Sequence, residues 1–217
     1  MIKPILIICF GVMMTCGFSQ TLNLRFGPAI SNLTWDNSVV AGNVFDKNIT
    51  GFDILLGLDY LDHRYFNLST NLGFIQKGGS GSALNASLPD PEAYSETSIV
   101  TRLNYITVNT TFEAKLPVKD ILTPFVHVGP RVDYMVSYAQ NVNLFSQFTE
   151  LDQLNKIIYG VVGGAGVDFK INRFKVGIVF DYYRNFNKLV DYTSSRGVSN
   201  QIYDHTFTLN AQVGFKF

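Results

Sequence analysis

The chain has 217 residues, balances 17 Lys plus Arg against 17 Asp plus Glu, and is 47% hydrophobic with 14% aromatic residues. A formal net charge of zero excludes the electrostatic footprint of a nucleic-acid binder or of a polybasic membrane anchor. Glutamate is confined to Glu92, Glu96, Glu113 and Glu150, fewer than a soluble surface normally carries, and the length suits one all-β domain of about 200–250 residues.

The first residues read as an export signal: Lys3 in the n-region, an apolar run over Ile5–Met14, and a small-x-small site at Gly17-Phe18-Ser19. Cleavage after Ser19 is expected, which leaves residues 20–217 as the mature domain. The apolar run is short of the roughly 20 residues a membrane helix needs. Cys16 raises the alternative of a lipoprotein signal, but Met14-Thr15 before it fits that pattern poorly. Cys9 and Cys16 are the only cysteines and leave with the signal, so no disulfide or thiol chemistry is expected. No later stretch is a helical span, so any crossing must be made by strands.

Eight segments then alternate apolar and polar residues with the period of a strand. Thr21–Ser31 carries Leu22, Leu24, Phe26 and Ile30 on one face, and Pro28 in the same register. Gly51–Tyr60 carries Phe52, Ile54, Leu56, Leu58 and Tyr60; Tyr65–Lys77 carries Phe66, Leu68, Leu72 and Phe74. Ile99–Leu116 has Ile106, Val108, Phe112 and Ala114 on its apolar face, and Pro124–Tyr138 has Val126, Val128, Val132, Tyr134, Val136 and Tyr138. Lys156–Lys170 presents Tyr159, Val161, Ala165, Val167 and Phe169, and Arg173–Asn185 presents Phe174, Val176, Ile178, Phe180 and Tyr182. His205–Phe217 ends the chain with Phe207, Leu209, Val213, Phe215 and Phe217.

The connections alternate long, short, long, short, long, short, long, with long loops expected at 32–50, 78–98, 139–155 and 187–204. Outer-membrane barrels have this rhythm of short periplasmic turns and long extracellular loops. Each segment is at least as long as the roughly 9–11 residues a tilted strand needs to cross a bilayer. An even number of strands puts both termini on one side, expected to be the periplasm. A closed ring also leaves no backbone group unpaired in lipid.

Alternation alone does not say which face points inward, and a secreted lipocalin-like barrel would put its apolar face inside. Three features favour apolar-out. The polar face is glycine-rich, as suits a narrow eight-stranded interior. It mixes charge signs, with Arg25, Lys77, Arg131 and Lys175 against Asp53, Asp59, Asp133, Asp168 and Asp181. Aromatic residues gather near strand ends, as interfacial girdles require. The charges are expected to pair and fill the interior, because a buried charge must be paired and because aqueous channels appear only at about 16–18 strands.

Several stretches carry motifs that can be set beside a known family. They are Leu24-Arg25-Phe26-Gly27-Pro28-Ala29-Ile30-Ser31-Asn32, Leu58-Asp59-Tyr60, Asn67-Leu68-Ser69 and Phe74-Ile75-Gln76-Lys77-Gly78. Further along are Pro124-Phe125-Val126-His127-Val128-Gly129-Pro130, Val162-Gly163-Gly164-Ala165-Gly166-Val167-Asp168 and the terminal Val213-Gly214-Phe215-Lys216-Phe217. Together these stretches resemble the PorT-like outer-membrane β-barrel family, and the resemblance implies an outer-membrane barrel. It also implies a link to that family's namesake, an accessory of protein secretion across the outer membrane, although no motif carries that role residue by residue.

Candidate sites are few. His63 lies in a short turn beside Asp62 and Arg64, His205 at the start of the last strand, and His127 on the inward face with Arg131 and Asp133. Ser137 is the only serine expected on the strand and face of His127, ten residues away, too far for a nucleophile and its base. Asp90, Glu92 and Glu96 match no calcium-loop spacing. The sequons Asn48-Ile49-Thr50 and Asn85-Ala86-Ser87 are read as accidental. No catalytic residue, cofactor site or metal site is assigned. The expected partners are outer-membrane lipid, the barrel assembly machinery through the C-terminal strand, and proteins of the envelope or of a secretion complex. The expected function is therefore a non-enzymatic, structural or interaction barrel in the bacterial outer membrane. A secretion accessory is the first alternative and a lipid-modifying enzyme the second.

Overall fold

A computed structural model describes residues 20–37, 45–84, 96–118, 121–141, 154–193, 197 and 199–217. The expected signal segment and its two cysteines lie outside them. The described strands are β1 (Thr21–Asn37), β2 (Ile49–Asp59), β3 (Phe66–Leu84), β4 (Glu96–Lys115), β5 (Leu122–Gln140), β6 (Ile157–Ile171), β7 (Phe174–Asn185), β8 (Val190–Thr193) and β9 (Ser199–Lys216). All neighbours are antiparallel, and β1 pairs with both β2 and β9, so the sheet closes on itself. β8 adds no stave to the ring. β7 pairs with Thr206–Phe215 of β9, and β8 pairs with Ser199–Ile202 farther along the same edge. The barrel therefore has eight staves, the seventh in two pieces.

The apolar face points outward. Leu56, Val126 and Leu209 are 53%, 58% and 52% exposed, whereas Glu113 and Gln212 are fully buried and Arg131 is 1% exposed. This rules out the lipocalin-like arrangement. The outward apolar run covers Leu22–Ile30 on β1, Phe74 back to Phe66 on β3, Phe174–Tyr182 on β7 and Phe207–Phe215 on β9. Nine residues at about 3.3 Å each, tilted near 40°, give a band on the order of 20 Å tall. Neighbouring strands stack their aromatics along it: Phe52 on Phe74 (5.3 Å), Phe174 against Phe215 (5.4 Å) and Tyr182 on Phe207 (4.8 Å). Such pairs add about 0.5–1.5 kcal/mol each beyond their burial.

At the long-loop end the band stops at a hydrogen-bonded polar row. Gln76 donates to Asn104 (2.9 Å), and Asn104 donates to Ser137 (2.9 Å). An irregularity in register at Asn104/Tyr105 pairs Tyr105 with Met135 and Asn104 with Ser137, leaving Val136 as an extra residue. That bulge turns Ser137 to the outer face, so it does not share the face of His127 as the alternation predicts. Tyr138, expected on the outer face, instead pairs with the inward Leu103.

At the other end the turns are tight. The β6–β7 connection is the two-residue Asn172-Arg173, with Asn172 at φ 58°, a left-handed conformation that Asn tolerates. Two Gly-Pro dipeptides interrupt single ladders, since Pro offers no N–H. Gly27-Pro28 has no partner in the β1–β9 register, and Gly129-Pro130 has none in the β4–β5 register.

The strands outrun their predicted ends toward the long loops. β1 continues to Asn37, β3 to Leu84, and β9 begins at Ser199 instead of His205; the expected loop 187–204 contains β8. The extensions are held from inside. Leu33, Ile75, Ile99 and Leu103 are fully buried, with Phe45, Met135, Ile158, Val190 and Ile202 packed into the same cluster. β1 and β3 also touch beyond the end of β2. Ser31 Oγ accepts from Gly78 N (2.7 Å) and donates to Gly78 O (3.0 Å), and a Cβ on Gly79 would lie 2.8 Å from Leu33 N.

Candidate functional site

Inward positions from every full-length strand converge on an interior that is polar from the turn end to mid-barrel. Next to the turns, Arg25 donates to Glu113 (3.1 Å) and Gln212 (2.5 Å), and Asn67 donates to the other oxygen of Glu113 (3.0 Å). Gln212 passes its own amide N–H to Asp168 (3.0 Å), and Lys175 bridges Asp59 (3.0 Å) and Asp168 (3.5 Å). Glycine makes room for these long side chains. A Cβ on Gly214 would fall 3.2 Å from Lys175 Cε, and one on Gly177 would fall 2.3 Å from Asp168 Oδ1.

At mid-height His127 Nε2 lies 2.6 Å from Asp181 Oδ1, with Thr208 donating to the second oxygen of Asp181 (3.4 Å). Asn210 donates to Asp53 (2.8 Å) and reaches Asp181 (3.5 Å), and the Tyr183 hydroxyl donates to Asp53 (3.4 Å). Above them, Lys77 bridges Asp133 (2.8 Å) and Asp204 (3.3 Å), Arg131 pairs with Asp133 (2.9 Å), and Asn185 bonds both Arg131 and Asp204. The rings of Tyr105 and Tyr183 lie 5.2 and 5.3 Å from Lys77 Nζ. The two tyrosines begin the apolar layer described above.

All nine charged residues expected in the interior are there. Two partners were missed. Glu113 lies on the polar face of β4 and holds Arg25, a position strict alternation in the sequence would have supplied. Asp204 sits in a stretch read as loop, although Asp204, Thr206, Thr208, Asn210 and Gln212 continue one alternating row.

Among the described residues His127 has a carboxylate partner but no nucleophile bonded to it. Its described hydrogen bond is to Asp181, while Ser137 is bonded to Asn104 on the outer face. His63 stacks on Phe66 at 4.7 Å, and His205 Nδ1 lies 3.5 Å from the Tyr182 hydroxyl. Asn48 accepts from Asn32 (2.9 Å) at the head of β2. Asp90, Glu92 and the Asn85 sequon are outside the described residues. Among those residues no group of three or more His, Cys, Asp or Glu side chains is placed to hold a metal ion.

A closed antiparallel ring of eight staves, apolar outside and ion-paired within, is a transmembrane β-barrel of the outer-membrane type. Its fold is similar to that of the outer membrane protein OprG from Pseudomonas aeruginosa, with a TM-score of 0.56 at 10% identity over 92% of this chain and 97% of that one. Lower similarity links it to the N-terminal β-barrel domain of Pseudomonas aeruginosa OprF (TM-score 0.47, 10% identity, 92% of this chain and 98% of that one). The outer membrane protease OmpT from Escherichia coli gives a TM-score of 0.43 at 9% identity over 94% of this chain and 100% of that one. No curated protein matches the chain. The chain belongs to the outer membrane protein beta-barrel domain family, whose model matches residues 10–191. That family is coarser than the PorT-like resemblance of the sequence, and it places the chain in the bacterial outer membrane.

Proposed function

We propose that this barrel works as a structural or interaction protein through its long-loop end, with its short turns and both termini in the periplasm and no catalytic role. The observation that carries the reading is the filled interior. Arg25, Lys77, Arg131 and the acids that hold them are at most 4% exposed, and apolar side chains close the interior above them. A barrel so filled offers partners its loops and its outer wall. In planar bilayers it should give no steady conductance, and co-purification from detergent-solubilised membranes should retain envelope proteins that a loop-truncated variant loses. A steady open conductance would overturn the reading.

The PorT-like motifs favour one particular form of this role, an accessory of secretion. Disruption of the gene should then deplete exported proteins from the medium, and an unchanged medium rules that form out. Lipid profiles should not change on disruption, and a changed profile would favour the envelope enzyme instead. Phe217, the exposed aromatic that follows β9, serves assembly in this reading. Its deletion should lower the amount of heat-modifiable barrel in the membrane, and normal levels would remove that role.

A further inference from the structure

The turn-end mouth carries a feature that neither the filled interior nor the loops explain. Four strands place a lysine at the inward position nearest this end: Lys115 on β4, Lys170 on β6, Lys175 on β7 and Lys216 on β9. Lys175 is neutralised from within by Asp59 and Asp168. Lys115 and Lys216 share a single carboxylate, with Lys115 Nζ 2.5 Å from Asp62 Oδ1 and Lys216 Nζ 3.2 Å from Asp62 Oδ2. Among the described residues Lys170 has no carboxylate within ion-pair distance. Its backbone N–H is spent on Ile121 O, and its side chain is exposed at the mouth.

These groups surround a cavity of about 380 Å³ lined by Asp62, His63, Arg64, Thr123, Lys170 and Lys216. Lys115, only 6% exposed, is tied to the same Asp62. Three lysines are thus gathered about one carboxylate, and Arg64, its guanidinium 5.4 Å from the Tyr65 ring centre, lines the same cavity. Like charges held this close by separate strands repel one another unless an anion joins them. If the mouth needed only to be soluble, mixed signs would serve, as they do deeper in the interior.

We propose that this mouth is a binding site for a phosphate group. Ammonium groups arriving from different strands surround a compact dianion as point charges, the way lysine usually meets phosphate. A planar carboxylate would be better matched by paired guanidinium groups. Asp62 is the carboxylate with which a ligand competes for Lys115 and Lys216, while Lys170, without an ion-pair partner among the described residues, is the cation that the ligand engages. The phosphate belongs either to a small solute entering the mouth or to a lipid headgroup folded over the rim. His63, stacked on the outward Phe66, sets that rim beside the aromatic girdle.

The test is a titration of the full barrel in neutral detergent, at low salt, with inorganic pyrophosphate followed by calorimetry or ³¹P line width. Saturable binding is expected, weakened about tenfold by Lys170→Gln, a loss of about 1.4 kcal/mol, and restored by Lys170→Arg. Lys188→Gln at the opposite end, where Lys188 pairs with Asp191, should bind as the native chain does. Asp62→Asn removes the competing carboxylate and should tighten binding, whereas a purely structural role for Asp62 predicts weaker binding. Every variant is first shown to be folded by its heat-dependent gel mobility. Absence of saturable binding, or equal binding by folded Lys170→Gln, overturns the proposal. The source is separated in nanodiscs: phosphatidylglycerol retained by the native barrel and lost from Lys170→Gln identifies a headgroup, and pyrophosphate binding without such retention identifies a solute.

Discussion

The two halves of the interior solve the same packing problem with opposite chemistry. From the turns to mid-barrel the staves meet through charged pairs and amides, such as Arg25 with Glu113 and Gln212, and His127 with Asp181. Toward the long loops they meet through Leu33, Ile75, Ile99, Leu103 and Ile158. In a membrane the outer face already supplies the apolar surface, so the interior is free to be either. What separates the halves is what each must specify. Directional, charge-assisted bonds fix one register among strands whose outer faces are nearly interchangeable, whereas the apolar half closes the ring and anchors the strand extensions that carry the loops.

The largest effect is expected where the halves meet. Lys77→Leu leaves Asp204 without its cation and Asp133 with Arg131 alone, inside a layer where all three charged groups are buried. Removing one member of such a buried set costs about 3–5 kcal/mol, to be read from urea unfolding of the barrel in lipid vesicles. A loss below about 1 kcal/mol, the range of an exposed pair, would mean that the polar half does not depend on its charge network.

In the apolar half, Leu103→Ala should cost roughly 3 kcal/mol through lost burial and the cavity left behind. Leu209→Ala, on the lipid-facing side of β9 at 52% exposure, should cost much less because lipid chains refill the space. Equal losses at the two positions would show that the loop-end interior is as fluid as the surrounding lipid.

The contrast between halves was only half legible in the sequence. The polar half follows from alternation: Asp53, Asp59, Lys77, Arg131 and Asp181 fall in register because glycine, charge and amide alternate with Phe, Leu and Val. The apolar half was hidden because period-two reasoning looks for a polar face opposite a greasy one. Around Leu33, Leu103 and Ile202 the inward residues are apolar while their neighbours Asn32, Arg102 and Gln201 are polar. The same alternation continues with its faces exchanged, so that the sequence presents the regions of Leu33 and Ile202 as loops and leaves Leu103, inside the expected strand Ile99–Leu116, without an assigned face. The bulge that moves Ser137 outward was equally invisible, since nothing local in Tyr134–Tyr138 announces an extra residue. Of the lysines of the turn-end mouth, Lys170 and Lys175 face each other across one hairpin, but Lys115 and Lys216 come from strands far away in sequence, and the ring brings all four to one rim.

The smallest effect lies at that mouth, where the polar chemistry reaches water. Burial pushes the Asp62 carboxyl upward, but the hydrogen bond and charge of Lys115, joined by Lys216, outweigh it and hold the group below the ordinary aspartate value of 3.8. A carboxyl that is the stronger acid in the folded state contributes stability above its unfolded value and loses it as the pH falls through the folded one. The native chain should therefore exceed Asp62→Asn in stability at neutral pH by about 1 kcal/mol, since Asp62 sits at the open mouth and its second partner, Lys216, is half exposed. The difference should shrink steadily below about pH 4 and with added salt. Unfolding midpoints of the two proteins compared from pH 7 to pH 3 check it. A difference that persists at the acid end would show that Asp62 acts by packing, and that the mouth resembles the apolar half more than the charged half it adjoins.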